Sequence, residues 1–522
     1  MTRRLSEDLV DQGFQLRETH ISRVFLGERS VFKIKKPVDL GFLDFSTLEK
    51  RRAACEAELD LNRRLAPDVY RRVVPVARDK QGKHRLGRAG DPVDWAVEMR
   101  RLPDAHNAER LLEAGSLGPD ELGSLAALLA AFHARAERGE HVAKYGSVEA
   151  ITVNVTENFA QTRETLPRYL SSSEIRELEH WQHAFVREKA QHFESRVRNE
   201  RIRDGHGDLR LEHAYLDPRG RWDVIDCIEF NDRFRYADVC ADIAFLAMDL
   251  AWHDRSDLSE RFVAAYAREA NDYDLYPLLD FYESYRAHVR GKVSSILTLD
   301  AQTSSAVRDA ARKQARRYYL LALAATHGPL LRPIVVAIGG LIGSGKSTLA
   351  AGVAEVLNAP VIDADRTRKF LAGVSPTTPL LHESWHGAYS PSFSARVYDE
   401  IMRRARCVLE ANRPVVLDAS FRTPQLRQAA LEIAEMHGAP FLFLECQAPR
   451  ETCLARLQLR ETRAGVSDGR ADIFDAFAAA WTPVTELEPQ AHLCLNTTRS
   501  EEENLARVRE RLAALGGCPH MR

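Results

Sequence analysis

The sequence predicts a multidomain chain, α+β in its N-terminal portion and α/β with a parallel sheet in its C-terminal portion. Three observations carry that prediction. The chain has 522 residues, and single hydrophobic cores stop growing near ~250–300 residues. Its character changes at 328–333, where a long helix-like stretch meets Gly328, Pro329 and Pro333, punctuation at which helices stop. Beyond that point apolar runs alternate with helix-like stretches, the pattern of a parallel sheet covered by helices on both faces.

Taken in order, residues 20–100 read as mixed. A strand pair falls within 23–35, a helix over 52–65, and strands near 73–76 and 95–99. Residues 105–327 read as mostly helical, with short apolar runs around 222–228 and a final helix over 305–327. After the boundary, 334–338 is an unbroken apolar run, β-branched but for one Ala, as suits a strand buried on both faces. Further strands are predicted at 360–362, 414–417, 440–444 and 492–495. The expected domains are 1–327 (a mixed lobe over about 1–103 and a helical lobe over about 104–327), a linker at 328–333, and 334–522.

Composition narrows the function classes. Hydrophobic residues make up 45% and charged residues 28%, the balance of an ordinary globular protein. Lys plus Arg total 73 against 75 Asp plus Glu, a net charge of -2, so nothing demands a nucleic-acid or membrane partner. No apolar run reaches the ~18 residues of a membrane span. The eight cysteines are scattered without a CxxC pair, and the N-terminus has no apolar signal segment, so a cytoplasmic location is expected.

The stretch Gly340-Leu-Ile-Gly343-Ser344-Gly345-Lys346-Ser347-Thr348 fits GxxxxGK[ST], placed after a strand and before a helix. Glycines let successive N–H groups turn toward phosphates, and the helix N-terminus adds partial positive charge. Lys346 supplies a full charge, and Ser347 a hydroxyl for magnesium. The ligand implied is ATP with Mg2+. The second strand runs into Asp365 and Arg368, at the strand end where open α/β sheets bind ligands. Asp365 is the candidate base for an acceptor hydroxyl, and Arg368 the candidate group that holds the acceptor or its phosphate. Asp418 ends the next strand, where a carboxylate orients magnesium. Arg456, Arg460 and Arg463 share a helical face and are candidates for a lid that closes over ATP. These residues resemble the small-molecule and polynucleotide kinase branch of P-loop proteins, which includes gluconate-kinase-like and zeta-toxin-like enzymes. That resemblance implies phosphoryl transfer to a hydroxyl and the DxxR Asp as the general base.

A second constellation lies upstream. His206-Gly207-Asp208-Leu209 is followed, eighteen residues after Asp208, by Asp226 at the end of a short apolar run. A catalytic-loop Asp followed by a magnesium Asp after a strand is the protein-kinase order. The strand 31–35 carries Lys33 and Lys35 on one face, so alternation does not choose between them; the shape of the motif favours Lys33. On the following helix Glu58 shares the apolar face and Glu56 the charged one, so Glu58 is the candidate partner of the lysine. Lys33, Glu58, the loop at 206–209 and Asp226 resemble the aminoglycoside-phosphotransferase branch of the protein-kinase-like fold. The whole chain looks like a bacterial fusion of that domain to a P-loop kinase. Where the resemblance implies a magnesium-binding Asn, five residues after Asp208, this chain has His213, and nitrogen is a poorer magnesium ligand than oxygen. The expected function is a tandem phosphotransferase acting on a small-molecule hydroxyl. The alternatives are a P-loop kinase regulated by an N-terminal pseudokinase and, less favoured, a kinase of nucleic-acid 5′-hydroxyls.

Overall fold

The computed structural model describes all residues except 1, 20, 40, 42, 89, 300–303, 381–384, 462–465 and 517–522. The chain divides into two compact units, Met1–Ala160 with Val186–Asp254, and Gln161–Phe185 with Arg255–Arg522.

The first unit opens with an antiparallel sheet of six strands: β1 (Gln15–Glu18), β2 (Ser22–Leu26), β3 (Ser30–Lys35), β4 (Tyr70–Arg78), β5 (His84–Leu86) and β6 (Pro92–Arg100), in the spatial order β1-β2-β3-β6-β4-β5. Alternation divides its side chains between two cores. Phe25, Ile34, Val74 and Val76 pack with Leu5 and Leu9 of an N-terminal helix. Val31, Val97 and Met99 pack on the other face with Cys55 of the helix Leu48–Asn62. That helix starts four residues before the sequence expectation because the Thr47 side chain accepts from Lys50 N and caps it.

Four short strands follow: β7 (Ile202–Asp204), β8 (Ala214–Leu216), β9 (Trp222–Val224) and β10 (Tyr236–Asp238). β7 pairs with β10 and β8 with β9, both antiparallel. The loops β7–β8 and β9–β10 therefore leave from neighbouring small ribbons. Beneath them runs the helix Val239–Trp252, buried along nearly its whole length.

The second unit holds a five-stranded sheet: β11 (Val335–Gly340), β12 (Val361–Asp363), β13 (Val415–Asp418), β14 (Phe441–Gln447) and β15 (His492–Asn496). The order is β12-β13-β11-β14-β15 and every pairing is parallel. Ile338, Val416, Leu444 and Leu495 form one core face with Leu349 and Val353 of the helix Lys346–Leu357 and Val508 of the last helix. The helices Ser256–Glu269, Tyr276–Leu297 and Ser305–Ala324 belong to this unit too. Tyr273 donates its hydroxyl to the Val361 carbonyl of β12 (2.8 Å). Arg413, 2% exposed, donates to Glu260 (2.9 Å) and Asp280 (2.8 Å) on the first two of those helices. Among the described residues no helix is long and apolar enough to cross a membrane.

Candidate active site

The phosphate loop joins β11 to the helix Lys346–Leu357. Its backbone is left-handed at Gly343 (φ +75°), and a Cβ there would lie 2.6 Å from the Cys453 carbonyl oxygen. Only glycine fits that combination. Ser344 is 1% exposed and its hydroxyl has no hydrogen-bond partner among the described residues. Lys346 donates to the Leu341 carbonyl (2.9 Å), folded over its own loop, while Ser347 and Thr348 are exposed at the helix start. Arg456 donates to the Gly343 carbonyl (3.4 Å) and the Thr497 carbonyl (2.7 Å), so it sits against the loop. Arg460 lies on the same helix, Arg450–Glu461; its side chain and Arg463 fall outside the described residues.

Beside the loop, β12 and β13 end in phase, with Asp363 opposite Asp418. Asp363 caps the helix Ala364–Leu371, accepting from Arg366 N (2.6 Å). Its carboxyl is pushed up to about 7, by burial first and then, against the Arg366 bond, by the charges of Asp418 and Asp365. The strand ends thus hold a crowded set of three carboxylates whose repulsion a divalent cation would relieve. These carboxylates, and the Ser347 hydroxyl in the first turn of the helix Lys346–Leu357, offer only oxygen, the donor type that fits magnesium.

Two guanidinium groups complete this side. Arg368 stacks on Tyr389 (4.5 Å) and donates to Ala388 O (2.5 Å) and Ser394 Oγ (3.3 Å), with its Nε unpartnered. Arg422 lies over Trp385 (4.4 Å), whose ring stacks on Phe477. Burial lowers the Arg422 pKa; Tyr398 opposes the shift and the nearby Arg368 adds to it. Among the described residues neither arginine has a carboxylate partner.

In the first unit, the Lys33 ammonium contacts Glu58 (2.8 Å) and Asp226 (2.5 Å). Lys35 contacts the other oxygen of Glu58 (2.5 Å) and also Glu229. Burial opposes the charge on Lys33, but Asp226 and Glu58 outweigh it and hold the ammonium well above its ordinary range. Both lysines thus reach Glu58, and of the two it is Lys33 that contacts Asp226. Asp226 sits at φ +65°, uncommon for a residue with a Cβ, and its N–H donates to the Tyr70 hydroxyl (3.2 Å).

The loop carrying Asp208 hangs from the helix beneath it. Asp242 accepts from His206 N (2.6 Å) and Gly207 N (2.9 Å), and Asp249 from Leu211 N (2.9 Å). Burial pushes the His206 pKa down to about 4, so the ring is neutral. Its Nε2–H donates to Ile225 O (3.0 Å) and Nδ1 accepts from Asp208 N (3.3 Å), which ties the two loops together. Arg210 holds both carboxylate oxygens of Asp208 (3.1 and 3.0 Å). His213 donates from Nδ1 to Asp208 O (2.8 Å) and aims Nε2 at Asp226 (3.5 Å) and Arg210 (3.4 Å). With Arg210 on that nitrogen, the oxygens of Asp226 and Glu212 are the better donors for magnesium here.

The structure therefore assembles Lys33, Glu58, Asp208, Asp226 and His213 in one cluster, and the phosphate loop, Asp365, Arg368, Asp418 and Arg456 in another. Sequence reasoning missed Arg210, Glu229, Asp363 and Arg422. Glu229 and Asp363 were within reach, three and two residues from chosen acids. Nothing in local spacing marks Arg422.

A profile of the AAA domain family matches residues 335–484. Among solved structures, a gluconokinase from Sinorhizobium meliloti 1021 is similar to 35% of this chain over 92% of its own (19% identity, TM-score 0.26). An ethanolamine kinase from Plasmodium vivax is similar to 61% of this chain over 82% of its own (12% identity, TM-score 0.36). The fold and the two clusters define a P-loop domain with a five-stranded parallel sheet and, before it in the chain, a unit in which an antiparallel sheet carries a lysine–glutamate–aspartate cluster. The uncharacterized protein Rv2004c of Mycobacterium tuberculosis is 36% identical over 474 residues, 90% of this chain and 91% of its own length. The uncharacterized protein Mb2027c of Mycobacterium bovis matches equally. The chain belongs to the family of these mycobacterial proteins.

Proposed function

We propose that the chain is a tandem phosphotransferase whose P-loop half moves the γ-phosphate of ATP to a hydroxyl of a small, anionic acceptor. The observation that carries this reading is the pair of arginines, Arg368 and Arg422, that have no carboxylate partner among the described residues, beside carboxylates at the mouth of a phosphate loop. Guanidinium groups so placed bind an acceptor's phosphate or carboxylate and turn its hydroxyl toward Asp365. Asp365 takes the hydroxyl proton. Lys346, released from Leu341 O, and Arg456 place positive charge at the phosphates. Magnesium, held by Ser347 and Asp418, would neutralise phosphate charge. In the N-terminal half Lys33 positions phosphates, Asp226 binds the metal, and Asp208 accepts a proton once Arg210 lets go of it. By type of segment the proposed limits are 1–327 and 334–522, joined at 328–333, although the helices of 255–324 pack in one unit with the P-loop sheet; the proposed location is cytoplasmic.

A second reading has its own observation. Both oxygens of Asp208 are occupied by Arg210, which suits a nucleotide-sensing domain that regulates its neighbour. Magnesium-dependent ATP turnover separates the two, measured with wild type, Lys346→Ala and Asp208→Ala against sugar acids, sugar phosphates and nucleotides beside neutral analogues. Tandem catalysis predicts that each variant removes a separable, acceptor-stimulated part of the turnover, with anionic acceptors favoured in the part lost in Lys346→Ala. If Lys346→Ala removes all turnover and Asp208→Ala none, the N-terminal half is regulatory.

A further inference from the structure

Strand periodicity puts five polar side chains on one face of β14 and β15. Glu445 pairs with Cys494 and Gln447 with Asn496, in register, while His492 stands two residues before Cys494. With a period of two, Glu445 and Gln447 share a face on one strand, and His492, Cys494 and Asn496 share it on the other. The opposite face, with Leu444, Cys446, Leu493 and Leu495, belongs to the core under the helix Lys346–Leu357.

On the polar face three ligand-type atoms converge. His492 Nε2 lies 2.9 Å from Glu445 Oε2, Cys494 Sγ lies 3.3 Å from the same oxygen, and Sγ lies 3.5 Å from Nε2. Hydrogen-bonded relays are built differently. A nucleophilic cysteine and its orienting carboxylate bind opposite nitrogens of the imidazole, whereas here sulfur and carboxylate approach the same one. Three atoms in a mutual triangle have a common centre instead. Around zinc, with bonds of about 2.0–2.3 Å, tetrahedral ligands stand roughly 3.4–3.6 Å apart. Two of the three separations already lie within about 0.2 Å of that range, and the third needs the His–Glu pair to part by about half an ångström.

We propose that Glu445, His492 and Cys494 form a binding site for a zinc-class divalent cation on the edge of the P-loop sheet. Thiolate, imidazole and carboxylate together select a borderline metal over magnesium or calcium, which take oxygen. Glu445 is 8% exposed and Cys494 is exposed, so the ion sits at the surface with its base in the fold. The exposure of Cys494 leaves a fourth position open to water, and Glu445 and Gln447 also line a cleft of about 430 Å³ that touches Gly340 and Ser344 of the phosphate loop. Binding releases the thiol proton to solvent and involves no other covalent change. The ion fastens β15 to β14. The residues just beyond β15 matter to the loop, since Thr497 Oγ1 donates to the Ser344 carbonyl (2.6 Å).

The test uses the full chain, stripped with a chelator and titrated with Co2+ and then Zn2+. One equivalent of Co2+ should bind, with a thiolate-to-metal charge-transfer band and the strong visible bands of a tetrahedral site, and Zn2+ should displace it. Cys494→Ser should abolish the charge-transfer band. His492→Gln should weaken Zn2+ binding by at least on the order of 100-fold, beyond the loss of an outer-shell partner. Cys407→Ser, a thiol elsewhere in the same unit, should change neither. Absence of a charge-transfer band in the folded wild type would overturn the proposal, and so would its persistence in Cys494→Ser. Because the wild-type spectrum decides by itself, a variant that fails to fold leaves the test intact.

Discussion

Glu58 holds two ammonium groups at once. It is fully buried, as is Lys35, and removing it would leave both lysines short of a counter-charge. Breaking a buried ion pair by deleting one partner costs about 3–5 kcal/mol, so Glu58→Ala should destabilise the first unit by that amount in urea unfolding. The sequence put both lysines on one face but could not say that both would meet one glutamate, because that depends on where the helix Leu48–Asn62 crosses the sheet. Asp363 carries a pH signature. Its folded pKa of about 7 lies above the ordinary carboxylate value of 3.8, so its contribution is fully present below the lower value and is lost as pH rises through 7. Asp363→Asn keeps the helix cap and removes the titration. A tenfold change in proton affinity is worth ~1.4 kcal/mol before solvent and relaxation weaken it. The variant should therefore gain about 1–2 kcal/mol on wild type between pH 5 and pH 8. Equal pH slopes for the two proteins would show that the three carboxylates do not crowd as described.

The strands of the second unit were the most legible elements. Each of the five apolar runs read from the sequence became a strand that starts within one residue of its expected position, and the alternation with helices did mean a parallel sheet. Buried parallel strands are uniformly apolar, which makes them conspicuous. The short, polar edge strands β1 and β5 were not seen, since Gln15–Glu18 and His84–Leu86 carry no apolar run. Clusters formed by charge across strands, such as Asp363 beside Asp418 or Glu445 beside His492, need a register that no single run supplies. The loop between β11 and its helix yields a sharp prediction. Gly343→Ala meets both a left-handed backbone and the Cys453 carbonyl at 2.6 Å, a strain of about 1–3 kcal/mol. ATP affinity, by calorimetry, should fall at least about 10-fold while the melting temperature moves by a few degrees at most. Unchanged affinity would mean that this loop does not cradle the nucleotide.

At the scale of the molecule, Arg413 joins the P-loop sheet to helices that precede it by more than a hundred residues. Burial raises the Glu260 pKa, but the Arg413 guanidinium opposes that shift. Arg413→Ala should therefore cost the second unit about 3–5 kcal/mol, read as an earlier unfolding transition in guanidinium; a loss below about 1 kcal/mol would mean that the acids find water instead. Sequence punctuation at 328–333 marks where one chain segment ends, but a contact such as Arg413 with Glu260 is invisible to it. The same contacts bear on inheritance. The backbone passes between the two units at residues 160, 185 and 254, so no single cut in the gene parts them. A crossover near codon 330 would deliver the five-stranded sheet to a new host gene without the helices bearing Glu260 and Asp280, and Arg413 would arrive as a buried cation among strangers. The two units should therefore be passed on as one coding block and lost together.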